Sequence, residues 1–151
     1  MEALLRTATR DDAERITEIY LTSRKRFLPY APLPHTDDAV RSWVREYLVP
    51  TGNVTVAVVD GTVLGFLGIS RDASYGWIDH LYLDPGAVGM GLGSLLVTEA
   101  KAQLQRPIRL YTFQANHGAR RFYKRHGFRE IEFSDGASNE EKTPDVLLEL
   151  S

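Results

Sequence analysis

Leu81-Tyr82-Leu83-Asp84-Pro85-Gly86-Ala87-Val88-Gly89-Met90-Gly91-Leu92-Gly93 is the stretch whose reading decides the fold. An apolar run ends, Asp-Pro-Gly turns the chain, and closely spaced glycines open a helix with Leu92, Leu95, Leu96, Ala100 and Leu104 on one face. Glycine lets the backbone approach a ligand closely, and a helix N-terminus offers free N–H donors at the positive end of its dipole. That arrangement suits a phosphate or pyrophosphate. The plainer reading is a tight strand-to-helix connection and nothing more. A P-loop is excluded, because no Gly-Lys followed by Ser or Thr occurs here. A dinucleotide fingerprint is excluded too: counted from Gly89 or Gly91 the third glycine is missing, and the next strand, Ile108 to Phe113, lacks the acidic residue that would grip a ribose.

Outward from this segment the chain alternates strand and helix signals. Upstream, residues 3–8 read as a short strand, and Asp11 or Asp12 caps a helix with Ala13, Ile16, Ile19 and Tyr20 on its apolar face. Pro29, Pro32 and Pro34 forbid a regular helix between Phe27 and His35. Thr36 caps the next helix, whose stripe of Val40, Trp43, Val44, Tyr47 and Leu48 runs to Pro50. Val54 to Val59 and Thr62 to Ile69, joined by Asp60-Gly61, form a hairpin, and Trp77 to Leu83 is a third strand of that group. Downstream, Pro107 stops the glycine-led helix and Ile108 to Phe113 is a strand. Asn116 caps a helix with Ala119, Phe122, Tyr123 and His126 inside, and Gly127 ends it. Strands near Phe128–Phe133 and Val146–Leu150 flank a polar loop from Ser134 to Pro144. The pattern predicts an α+β (mixed α/β) fold: a central, mostly antiparallel mixed sheet of about seven strands flanked by about four helices. No repeat or linker divides residues 1–151, so one domain is expected.

Composition narrows the partners. The 18 basic and 20 acidic side chains nearly cancel, which argues against nucleic acid. No apolar run approaches the ~20 residues of a membrane span, and Met1 to Arg6 lacks the look of a signal peptide. A cytoplasmic protein without membrane association is expected. Cysteine is absent, so thiolate metal sites and a cysteine nucleophile are excluded. His35, His80, His117 and His126 show no metal-ligand spacing, and no metal is expected.

Val88-Gly89-Met90-Gly91-Leu92-Gly93 resembles the coenzyme A signature of the GNAT superfamily of acyl-CoA-dependent N-acyltransferases, with Val88 where the family usually carries arginine or glutamine. Independently, Asn116 to Phe128 is similar to the family's Asn-x-x-Ala-x-x-Phe-Tyr-x-x-x-Gly-Phe. The resemblance covers nearly the whole chain and implies a GNAT-like fold and transfer of an acetyl group from acetyl-CoA to an amine of a small molecule or peptide. It implies that Leu81, Tyr82, Leu83, Val88 to Ser94, Asn116, Ala119, Phe122 and Tyr123 hold acetyl-CoA. Backbone amides do most of the pyrophosphate binding in this family, so Val88 bears on affinity more than on identity. Dimers are common among its members, and a homodimer is one expected state.

The reaction implied is direct attack of a neutral amine on a thioester. Holding an amine of lysine-like pKa neutral at pH 7 costs about 4.6 kcal/mol. The resemblance makes Tyr123 the general acid at the departing sulfur; the alternative is a core aromatic beside Phe122. It gives Leu83, or a neighbour, the amide that polarises the thioester carbonyl. Asp79 and His80 are the candidate bases, and on a regular strand they face opposite sides, so only one should serve. His35 and Tyr30 in the proline-rich loop, with Trp43, are candidate walls of the acceptor pocket. The Asn139–Lys142 loop is a candidate source of carboxylates for a cationic acceptor. The enzyme alternatives are an antibiotic-modifying aminoglycoside acetyltransferase and a protein N-terminal or lysine acetyltransferase, and the reading from another class is a non-catalytic acyl-CoA-binding module.

Overall fold

Asp60 and Gly61 adopt φ of 50° and 78°, the type I′ turn their identities favour. They close a hairpin between β2 (Val54–Val59) and β3 (Thr62–Arg71) in a computed structural model that describes residues 2–151. With β1 (Ala3–Thr7), β4 (Gly76–Leu83), β5 (Ile108–Phe113), β6 (Arg129–Ser134) and β7 (Asp145–Leu150), the hairpin belongs to one seven-stranded sheet ordered β1-β2-β3-β4-β5-β7-β6. Every pairing is antiparallel except β4 with β5. Helices α1 (Ala13–Phe27), α2 (Asp37–Trp43), α3 (Leu92–Gln103) and α4 (His117–Arg125) complete the expected architecture. Among the described residues no helix is long and apolar enough to cross a membrane.

Alternation along the strands makes two cores. Val54, Val56, Val63 and Phe66 pack with Ile16, Ile19 and Tyr20 of α1 and Val40 of α2. Ala57, Leu67 and Ile69 point the other way, against Leu92, Leu96, Val97 and Ala100 of α3. Phe66, Ile16, Ile19 and Leu96 are fully buried, and each such side chain contributes about 1.5–3 kcal/mol of transfer free energy.

Two stripes differ from expectation. After α2 the chain makes a π-helical turn over Val44–Leu48, with the Val49 N–H bonding to the Val44 carbonyl, then a 3-10 turn over Val49–Thr51. The wider turn rotates Tyr47 off the buried face, where it is 66% exposed, while Val44, Leu48 and Val49 stay inside. On α3 the inner stripe advances by fours through Leu92, Leu96 and Ala100, leaving Leu95 exposed.

The seam between β4 and β5 positions the site. These strands share only two register pairs, Gly76 with Ile108 and Trp77 with Arg109, and then diverge. β4 is irregular there: its pairing with β3 jumps from Ile69–Ile78 to Gly68–His80, leaving Asp79 as a bulge. A bulge bends its strand and sharpens the local twist, which carries the end of β4 away from β5. Leu81 and Leu83 gain a free edge. The Asp84 N–H bonds to the Leu64 carbonyl on the β3 side, so strand alternation turns the amides of Leu83 and Leu81 toward the opening.

Candidate active site

The glycine segment forms one wall of a cleft of about 820 Å³. Asp84 fixes its start, accepting from the Gly86 N–H at 2.8 Å and pairing with Arg15 of α1 at 2.8 Å. Gly91 is the N-cap of α3 with φ of 84°, and no side chain caps the helix. The first-turn N–H groups are therefore left for a ligand. A Cβ built on Gly89 or Gly91 would meet nothing within 4 Å, whereas one on Gly93 would press the Phe122 ring at 3.2 Å. Gly93 thus lets α3 and α4 approach closely. The segment fits a pyrophosphate: open space, left-handed glycines and uncapped amides coincide.

The expected cofactor residues divide here. Leu83, Val88, Gly89, Gly91, Gly93 and Ser94 line this cleft, and Asn116, Ala119, Phe122 and Tyr123 face them from α4 and its N-cap. Leu92 is fully buried and offers only its backbone. Met90 lies outside the lining. Asn116 also caps α4, its Oδ1 accepting from the Ala119 N–H at 3.2 Å.

A second cavity, of about 710 Å³, opens on the α1 side of the sheet. Asp79 and His80 both line it; the bulge removes the regular alternation that would have separated them. Trp43 and Tyr20 wedge the imidazole, with ring centroids 5.3 and 6.1 Å away. Burial, then the charge of Arg24, pushes His80 down to about 4, so it is neutral at pH 7. Asp79 reaches solvent within the cavity, yet the enclosing walls raise its carboxyl above the ordinary value.

Arg24 is the group that sequence reading passed over. It stands one and two turns beyond Tyr20 and Ile16 on the buried stripe of α1, and an arginine on that stripe was the available signal. Its side chain is 7% exposed. Nη2 donates to the Ala31 carbonyl at 3.0 Å and to Glu141 at 2.9 Å, and Nη1 reaches the Tyr82 hydroxyl at 3.5 Å. Nε has no partner and lies near the faces of Tyr20 and Phe113. Glu141 belongs to the loop between β6 and β7, so this ion pair latches the loop across the cavity. A second latch joins His35 to Glu140 at 3.2 Å.

The other pocket expectations are revised by these positions. His35 lines neither cavity and holds the loop instead. Tyr30 lines the glycine cleft, edge-on to Phe113 at 6.2 Å, because the proline-rich segment runs across that side. Trp43 sits behind His80 in the core.

Both cavities share Leu81, Tyr82, Asn116, Ala119 and Tyr123. Tyr123 is 8% exposed and packs edge-on against Phe122 and Phe128. Its hydroxyl has no hydrogen-bond partner among the described residues, and burial pushes its pKa up, so it stays protonated. Among the described residues no group of His, Asp and Glu side chains could hold a metal ion.

Residues 2–128 match the family described as "Acetyltransferase (GNAT) family". A relative from Methanocaldococcus jannaschii, described as an uncharacterized N-acetyltransferase, is 26% identical over 145 residues. The match takes in 87% of this chain and 63% of the relative, so the chain spans under two thirds of that protein's length. The PaiA N-acetyltransferase of Thermoplasma acidophilum, solved in complex with coenzyme A, superimposes with a TM-score of 0.78 at 23% identity, covering 99% of this chain and 98% of that one. Apo YjaB from Escherichia coli gives 0.77 at 22% identity, covering 99% and 98%.

Proposed function

The chain belongs to the GNAT acetyltransferase family, and from that premise we propose that residues 1–151 form one N-acetyltransferase domain that moves the acetyl group of acetyl-CoA to a primary amine. The observation that carries this is the meeting of two cavities at one wall: a glycine-built cleft and a carboxylate-lined chamber share Leu81, Tyr82 and Tyr123. Acetyl-CoA supplies an activated thioester. The α3 amides receive its pyrophosphate, and the outward amides of Leu81 and Leu83 can donate to its carbonyl oxygen.

The amine enters from the chamber. Its nitrogen bonds to the thioester carbon, the carbon–sulfur bond breaks, and the amine's proton passes to Asp79 directly or through water. Tyr123 gives its proton to the departing sulfur and recovers one from solvent. Asp79 and His80 suit their parts, whereas burial keeps Tyr123 protonated but makes it a weaker donor than an ordinary phenol. A carboxyl raised by burial is a better proton acceptor than an ordinary one. His80, held near 4, is a weak base and serves as a neutral wall and hydrogen-bond partner. The same burial and Arg24 charge that keep His80 neutral also favour the neutral form of an amine beside it. That offsets part of the cost of deprotonating the nucleophile.

Thiol release from acetyl-CoA on adding primary amines, with mass detection of the acetamide, tests the reading. Turnover that requires both substrates is the expected result. Acetyl-CoA binding with no thiol release from any amine would leave a binding module, a reading that Val88 in the arginine or glutamine position favours.

A further inference from the structure

The acceptor chamber is unevenly charged. Asp79, Glu132, Glu140, Glu141 and Asp145 line it against the single guanidinium of Arg24. Arg24 neutralises Glu141, and Glu140 meets only His35. Among the described residues, no cation lies within ion-pair reach of Asp79, Glu132 or Asp145. The charges are also ordered in depth. Arg24 is buried and touches Tyr82, on the wall shared with the glycine cleft, whereas Glu132 and Glu140 are exposed toward the mouth. Tyr20, only 8% exposed, lines the same chamber with a hydroxyl that has no hydrogen-bond partner among the described residues. A nearly buried phenol without a protein partner is one that a ligand can satisfy.

We propose that the acceptor is a small aliphatic di- or polyamine, its reacting nitrogen lodged near Tyr20 and Tyr82 and its second, protonated nitrogen held by Glu132 and Glu140. This rests on the acetyl-transfer reading above. The polarity of the chamber sets the direction of entry. A cation gains nothing at the paired Arg24–Glu141 end and is attracted to the unpaired carboxylates at the rim, so a molecule with two amines presents the one that sheds its proton more readily to the inner end. The volume of about 710 Å³ suits a small molecule. The loop latched by Arg24–Glu141 and His35–Glu140 stands between the chamber and any folded protein surface.

The test uses the full chain with acetyl-CoA and three acceptors of equal chain length: tetramethylenediamine, n-butylamine and γ-aminobutyrate. They share the reacting amine and differ in the charge of the far end. The diamine should exceed n-butylamine in kcat/KM by about tenfold, as two partly screened ion pairs allow, and γ-aminobutyrate should fall below both. The Glu132→Gln/Glu140→Gln protein should reduce the diamine-to-butylamine ratio by about the same factor. Equal rates for the diamine and butylamine would overturn the proposal while leaving acetyl transfer intact. So would a preference for γ-aminobutyrate, which would give Arg24 the task of holding a carboxylate. An unchanged ratio in the double variant would also overturn it. If calorimetry shows acetyl-CoA bound but none of the three releases thiol, the acetyl-transfer reading fails for small amines and this proposal fails with it.

Discussion

The two cavities are made of different materials. The glycine cleft has a backbone-built end, with uncapped amides and left-handed glycines between residues 88 and 94, faced by residues 115–125 and closed by Ser23, Phe27, Leu28 and Tyr30. The acceptor chamber is largely side chain, drawn from α1, β4, β5, β6, β7 and the loop between β6 and β7. In the proposed reading, backbone would bind what all acyl-CoA molecules share, and side chains would choose among amines. The difference teaches where each property can be altered without the other.

The largest effect should come from breaking the chamber at its buried charge. Arg24→Met leaves Glu141 without its partner, and disrupting a buried pair costs about 3–5 kcal/mol. Chemical denaturation should register the loss, and the Arg24→Met/Glu141→Gln protein should recover part of it. Acetyl-CoA affinity, measured by calorimetry, should fall far less, because the glycines and uncapped α3 amides lie away from Arg24, although Ser23, Phe27 and Leu28 beside it line the same cleft.

The converse break is Gly91→Val. A β-branched residue at φ of 84° is strained by roughly 1–2 kcal/mol, and its methyls would occupy the open space in front of α3. Acetyl-CoA affinity should fall by at least about 10²-fold, since strain and lost phosphate contacts add, while the fold persists. Undiminished affinity would remove pyrophosphate from this segment.

Tyr123→Phe attacks the shared wall. The ring and its packing remain, so stability and acetyl-CoA affinity should barely move. Single-turnover kcat should drop by about 10²-fold, the lower end for a general acid. A fall below about threefold, with chemistry limiting, would make Tyr123 a core aromatic.

The smallest effect sharpens the comparison through pH. His80 has a folded pKa of about 4 against an ordinary 6.5. Between those values the unfolded chain takes up a proton that the native chamber refuses, so stability falls as pH drops from 6.5 toward 4. The full linkage is at most about 3–4 kcal/mol. His80→Phe should flatten that acid limb and leave stability above pH 7 nearly pH-independent at this site. An unaltered slope would place the imidazole in a wetter setting than its neighbours imply.

This division also explains what could be read from the sequence. Local signals travel well: the Asp-Gly turn, the Asn116 cap, the spaced glycines and the seven strands are each decided within a few residues. The chamber was only half visible. Asp79 and His80 were found, but their common orientation depends on a bulge set by the register with β3. Arg24 looks like any helix arginine until its stripe is compared with the core, and its partner Glu141 is 117 residues away. His35 and Tyr30 are expected at the acceptor pocket from the usual place of that loop in the resembled fold, and here the loop's own route puts His35 in a latch and Tyr30 in the glycine cleft. Tyr47 leaves the expected stripe because a π-turn breaks the helical period, and Leu95 because the buried arc of α3 is centred on Leu92, Gly93, Leu96, Val97 and Ala100, to one side of it.

The gap between β4 and β5 has a further consequence. A sheet is ordinarily a wall, and whatever approaches one face stays there. Here the wall has a window, bordered by Leu81, Tyr82 and Tyr123, with a separate entrance leading to it from each cavity. Two visitors with separate doors need not take turns. If acetyl-CoA and amine use these two entrances as proposed, neither has to leave before the other arrives, and no side chain has to carry the acyl group between visits. Initial rates measured against each substrate should accordingly give families of intersecting lines, the pattern of a complex in which both are present together.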